Sequence, residues 1–265
     1  MATVVGGSLF FFTVQWIDYK EKLLDQLRML AAASAAATTT YFEDKSAALE
    51  NLGSTLLDEG ADREREQRLV DTFKASHTEL NGVHVFLPDG RFVVSTSPPR
   101  SKTLVGYPEY WAGFKNCRET TRLCILPPMK GIVNPSRLEI PMIYRVRRGG
   151  NQPFSILVSI PLENQQLLWN NSGLLEGMAI SLLRDDGYLQ GRYPTVSRRE
   201  FELPRNGILE QTLRTRSWKR SGTFSGYDAM TNQSRMGAYA RLGYYPMTAS
   251  VSVPSSLMWS HWLGT

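Results

Sequence analysis

An α+β architecture is predicted: a long N-terminal helix followed by two tandem units, each an antiparallel sheet of about five strands with flanking helices. Three observations lead to it. Residues 18–76 place leucines at helical spacing. VHVFLPDGRFVVSTSP (83–98) and AISLLRDDGYLQGRYP (179–194) are both apolar runs broken by an Asp-Gly turn, with Gly90 and Gly187 97 positions apart. LVSIPLENQQLLW (157–169) is echoed by SVSVPSSLMWSHW (250–262), with Pro161 and Pro254 93 positions apart.

The chain opens on seventeen residues without a charged side chain, MATVVGGSLFFFTVQWI. As a helix they would reach about 25 Å at 1.5 Å per residue, slightly short of a hydrocarbon layer of roughly 30 Å. A secretory leader would begin with basic residues, and this run has none. Residues 1–17 are therefore read as a partial membrane anchor, with a buried N-terminal helix as the alternative. From 18 to 76 the apolar positions Leu23, Leu24, Leu27, Leu30, Leu49, Leu52 and Leu56 recur at helical spacing. Gly53 and Gly60 are expected to interrupt the run, giving two helices or one bent one. The chain closes on SSLMWSHWLGT, and residues 257–265 are read as the start of a second membrane segment, because Trp favours the interface.

Between these ends the pattern changes to short strands separated by turns. Asp-Gly suits a tight hairpin because Gly accepts positive φ. Each Val-Ser-aliphatic-Pro segment is followed by a Trp eight residues after its Pro, Trp169 and Trp262. A looser third pair sets IPMIYRV (140–146) beside MGAYARL (236–242), with Tyr144 matching Tyr239. Three landmarks in one order at near-constant spacing mark a duplicated unit of about ninety-five residues, placed at 77–162 and 163–256. Each unit runs hairpin, helix, then three strands. The helices fall near YPEYWAGFKNC (107–117) and RNGILEQTLRTR (205–216).

Composition narrows the function. The net charge is +5, and the arginines are scattered rather than gathered on one stripe, so nucleic acid is not expected as a partner. The chain has no Gly-Lys pair and hence no phosphate-cradling loop of the Walker type. GTFSG (222–226) has its serine one place away from a nucleophile elbow. Asp185 and Asp186 sit in a turn they help to shape. His84 alternates with Val83 and Val85 and is read as structural. Three histidines and two cysteines do not form a zinc set, so neither metal nor cofactor is expected. Cys117 and Cys124 are either a disulfide closing a small loop or two separate thiols, and an oxidising compartment favours the bridge.

Two strands, a helical crossover and three strands is the order of PAS-like sensor domains. The quoted segments together with GYPEYWAGF, SGTFSGY and GAYARLGYYPMTASVSVP resemble the double Cache sensor domains of bacterial transmembrane receptors over essentially the whole chain. The resemblance implies an extracytoplasmic ligand-sensing domain, not an enzyme, held at the plasma membrane by its terminal helices. Its folded part would lie in the periplasm or outside the cell, and it would act as a homodimer. A cytoplasmic output such as a diguanylate cyclase or histidine kinase would lie elsewhere. The resemblance further implies a small-molecule site in the membrane-distal unit, under the helix after the first hairpin. There Tyr107, Tyr110 and Trp111 offer aromatic faces and polar tips, and Tyr144 lies on a strand backing the site. Lys130, Arg137 and Arg145 would hold an anionic group. The amino-acid-binding members carry Arg-x-Trp-Tyr in this segment; here Pro108 stands at the arginine position and the aromatic order is reversed. In the second unit the corresponding candidates are Tyr193, Arg235 and Tyr239. The alternatives are a ligand-free dimerisation or docking module and, less favoured, a periplasmic enzyme.

Overall fold

Helix α1 (Ala2–Asp58) grows from the leucine periodicity and runs through Gly53 without a break. Gly53 is kept open by its neighbour instead: a Cβ there would meet a Val146 methyl at 2.7 Å. Helix α2 (Arg63–Ser76) starts afresh at Asp62, whose carboxylate accepts the backbone N–H of Glu64 and Arg65. The expected interruption therefore falls after Asp58 rather than at Gly53. In this computed structural model the described residues are 2–58, 62–117, 123–148, 151–164, 177–202, 207–215, 219–228 and 231–264. Gly60 and Trp169 lie outside them.

The chain divides into two units, one of residues 40–168 and one of residues 1–39 with 169–265. Helix α1 thus supplies its last turns to the first-sheet unit and its earlier turns to the second-sheet unit.

The first-sheet unit contains β1 (Gly82–Phe86), β2 (Phe92–Ser95), α3 (Pro108–Asn116), β3 (Leu123–Ile125), β4 (Met129–Lys130), β5 (Leu138–Arg148) and β6 (Asn151–Pro161). Its sheet is antiparallel in the order β2-β1-β6-β5-β3, with β4 also pairing β5. The segment LCILPPMK (123–130) makes two short strands rather than one continuous one. Pro127 and Pro128 lack the N–H groups that a continuous ladder would need.

The second-sheet unit contains β7 (Ala179–Arg184), β8 (Leu189–Tyr193), α4 (Arg199–Glu202), α5 (Ile208–Thr215), β9 (Ser221–Asp228), β10 (Gln233–Arg241), β11 (Met247–Pro254) and α6 (Ser255–Gly264). The strand order is β8-β7-β11-β10-β9, the same path as in the first sheet. Near the chain ends, Trp16 of α1 stacks on Trp259 of α6 with ring centroids 3.8 Å apart, and Trp262 meets Trp16 edge-on. No helix among the described residues is long and apolar enough to cross a membrane.

The duplication recurs in the hairpin turns and in the pairing of the repeat serines. Gly90 and Gly187 both have φ of 89°. Gly90 N–H bonds Leu87 O at 2.8 Å, and Gly187 N–H bonds Arg184 O at 2.9 Å. The two repeat serines pair alike: Ser159 faces Gly82 and Pro141, and Ser252 faces Ala179 and Gly237.

Candidate functional site

Strand alternation gives the first sheet two faces. Leu138, Ile140, Met142, Tyr144 and Val146 point one way along β5, toward the side where Val146 meets Gly53 of α1. Glu139, Ile143 and Arg145 point the other way, toward α3. Tyr144 is therefore buried on the face opposite Tyr107, Tyr110, Trp111 and Arg145, although it adjoins Arg145 in sequence.

On the α3 face, Pro108 opens the helix and Tyr110 and Phe114, four residues apart, turn inward. They pack with Phe86, Leu104, Ile143 and Leu157 in one apolar cluster. Burial of such side chains stabilises by about 2 kcal/mol each. The tyrosine tips tie the helix to the loops around it. The Tyr107 hydroxyl accepts Ser101 N–H at 3.0 Å and donates to Ile132 O at 3.4 Å. The Tyr110 hydroxyl donates to Lys130 O at 3.1 Å, and burial and then the nearby Glu139 carboxyl raise its pKa above the ordinary phenol value. Trp111 lies against the Gly90 turn, stacks on Phe114, and carries the Lys115 ammonium 4.9 Å from its centroid.

Arg145 closes the other end of α3. Its Nη2 donates to Phe114 O at 2.8 Å and Cys117 O at 3.1 Å, and its guanidinium lies over the Phe114 ring. These carbonyls end the helix and carry its negative pole, so a cation there is favoured. Cys117 is bonded to Cys124 of β3, their Cα atoms 6.0 Å apart, which fastens the same helix end to the sheet. The three basic candidates do not converge. The Lys130 side chain is exposed, and Arg137 is exposed with Glu163 at 3.9 Å.

Three polar residues outside the predicted ligand set, His84 among them, share this face. Glu139 is buried and accepts hydrogen bonds from Asn81 Nδ2 and, at 2.6 Å, from Ser159 Oγ. Burial raises its pKa against the lowering effect of these two donors. Gly131 packs so closely on the carboxyl that a Cβ has no room. Across the sheet, Ser95 of β2 stands directly opposite His84 of β1. Among the described residues, His84 Nδ1 and Ser95 Oγ are buried without a hydrogen-bond partner. Burial pushes the imidazole pKa down to about 4, so it is neutral near pH 7. The signal for this pair was a histidine at an inward position of an alternating strand; finding its partner needs the hairpin register. In the second sheet Tyr239 and Arg235 lie buried on the α5 face, whereas Tyr193 points to the other face and Arg192 takes the inward place. No group of metal-binding side chains occurs among the described residues.

No family model matches the sequence. No curated protein matches it either. Solved structures do. The extracellular domain rpHK1S-Z16, assigned to a histidine kinase, superposes with a TM-score of 0.74 at 17% identity, covering 91% of this chain and 98% of that one. The ligand-binding domain of the Pseudomonas aeruginosa amino acid chemoreceptor PctB, in complex with L-Arg, gives 0.67 at 18% identity over 91% and 98%. The sensory domain of the Campylobacter jejuni chemoreceptor Tlp3, with isoleucine bound, gives 0.62 at 13% identity over 92% and 98%. With a long helix and two antiparallel sheets of matching strand order, the chain has the fold of the extracellular sensory domains of histidine kinases and chemoreceptors.

Proposed function

We propose that this protein is the extracytoplasmic ligand-sensing domain of a bacterial transmembrane receptor, and that it binds a small polar molecule on the α3 face of the first-sheet unit, the membrane-distal one. The observation that carries the site is the facing pair His84 and Ser95, whose buried Nδ1 and Oγ lack partners among the described residues. Buried polar groups are normally hydrogen-bonded, so a polar occupant accounts for both. A neutral imidazole and a hydroxyl can each donate or accept, which suits a ligand presenting an amide, hydroxyl or carboxyl edge. The neighbours with bound amino acids support small ligands as a class. Under this reading the aromatic contact between α1 and α6 sits at the membrane interface, which Trp favours. The 57-residue α1 would be the element through which a homodimer forms and the signal leaves.

A thermal-shift screen of the full chain against amino acids, short carboxylates, polyamines and nucleobases tests the reading. A ligand at a hundred times its dissociation constant adds about 2.7 kcal/mol. A hit that disappears in Ser95→Ala and His84→Asn establishes the site. A second reading, a ligand-free docking module, draws on the inward use of Tyr107, Tyr110 and Arg145 to hold α3 in place. It gives a silent panel with a folded protein.

A further inference from the structure

The second sheet carries a wholly polar row where the matching row of the first is half apolar. Cross-strand register places Arg192, Ser181, Ser250 and Tyr239 in one row on the face beneath α5. The matching row of the first sheet reads Ser95, His84, Leu157 and Ile143. One step along, Arg235 and Ser252 share the same face. All six of these second-sheet residues are buried.

Arg192 belongs to one edge strand and Asp228 to the other, yet the guanidinium and carboxylate are 3.5 Å apart. The sheet must therefore curl about this face, bringing its edges together over Arg235. Arg192 also donates to Ser181 Oγ at 3.0 Å. Arg235 is 4% exposed and its hydrogen-bond partners are all neutral: Ser252 Oγ at 3.0 Å, Ser252 O at 2.9 Å and Gly177 O at 3.0 Å. Burial, and then the nearby Arg192, pull its pKa down to about 10, with Asp228 acting against them. A buried cation without direct ion pairing is costly to a fold. The Tyr239 hydroxyl, on the same face, lies against Gly222 of the edge strand β9.

We propose that this face of the second-sheet unit is a binding site for a small oxyanion, of the carboxylate or phosphate class, held by Arg192 and Arg235. The oxyanion supplies the counter-charge that Arg235 does not get from its neutral partners. Guanidinium groups suit such ligands through paired N–H donors. The site stands apart from the one proposed on the first sheet and does not depend on it.

The test is calorimetric titration of the full chain with malonate and with inorganic phosphate, at ionic strength held constant with sodium chloride. At least one of the two binds wild-type protein and His84→Asn alike. Arg192→Gln weakens that binding tenfold or more. Arg235→Lys keeps the positive charge but loses the paired N–H donors, so it weakens binding about tenfold, as expected for one hydrogen bond to a charged group. Absence of binding by both probes overturns the proposal, and so does binding that neither Arg192→Gln nor Arg235→Lys alters. Binding lost in His84→Asn but kept in Arg192→Gln and Arg235→Lys puts the oxyanion on the first sheet, which overturns this site and leaves the first one standing.

Discussion

Glu139 and Arg235 occupy the same place in the two sheets and carry opposite charge. Glu139 pairs across its ladder with Pro161, and Arg235 pairs with Pro254. Each reaches the serine of its own Val-Ser-x-Pro segment, Ser159 at 2.6 Å and Ser252 at 3.0 Å. Both are nearly excluded from solvent. A duplicated scaffold thus holds a carboxyl in one copy and a guanidinium in the other.

The carboxyl of Glu139 gives the first prediction. Its pKa in the fold lies above the ordinary value of 4.5. The folded state then holds its proton to higher pH than the unfolded state, so stability falls as pH rises through and above 4.5. Glu139→Gln should match or exceed wild-type stability at pH 7, and the difference should shrink as the pH approaches 4. Urea unfolding of both proteins at pH 4, 5.5 and 7 reads the trend.

His84 has the opposite slope. Its folded pKa is depressed from 6.5 to about 4, so the unfolded chain binds the proton first. The stability it confers is present above pH 6.5 and is lost as pH falls toward 4, amounting to about 3 kcal/mol over that interval. His84→Asn should flatten this part of the stability profile. An unchanged slope between pH 4 and 6.5 in the variant would show that the imidazole is not buried as described.

Arg145 is predicted to be a positioning residue for α3. Arg145→Met strips the Phe114 and Cys117 carbonyls of their buried donor. A loss of about 3 kcal/mol is expected, the range for removing one member of a buried charged contact. Hydrogen exchange should show the helix end opening before the sheet; uniform loss of protection would contradict the assignment.

The Cys117–Cys124 bridge closes a loop of seven-residue separation. The chain-entropy model gives about 2.5 kcal/mol for a loop this short. Reduction, or the double change Cys117→Ser with Cys124→Ser, should lower the melting temperature by several degrees. A melting temperature indifferent to reductant would exclude the bridge.

The stacked pair Trp16 and Trp259 should produce an exciton couplet in the circular dichroism spectrum, since the rings lie 3.8 Å apart and nearly parallel. Trp16→Phe should remove it. A couplet that survives the change must come from other rings.

What the sequence determined by itself was whatever rests on local physics. Asp-Gly dictates a tight turn because only a residue without Cβ takes φ of 89° cheaply, and both turns are found where the dipeptides stand. Leucines at helical spacing dictate α1, and two copies of hairpin, helix and three strands dictate the paired sheets. The rest was decided by contacts distant in sequence. Tyr144 and Arg145 are neighbours in the chain, yet alternation sends them to opposite faces. Arg145 was legible as a basic residue near the helix but not as the group that holds the helix end, because its partners lie about thirty positions earlier. Ser95 acquires meaning only opposite His84, and Arg192 only beside Asp228, from the far edge of the same sheet. Burial and register, which arise only when the strands assemble, turn scattered polar residues into candidate sites.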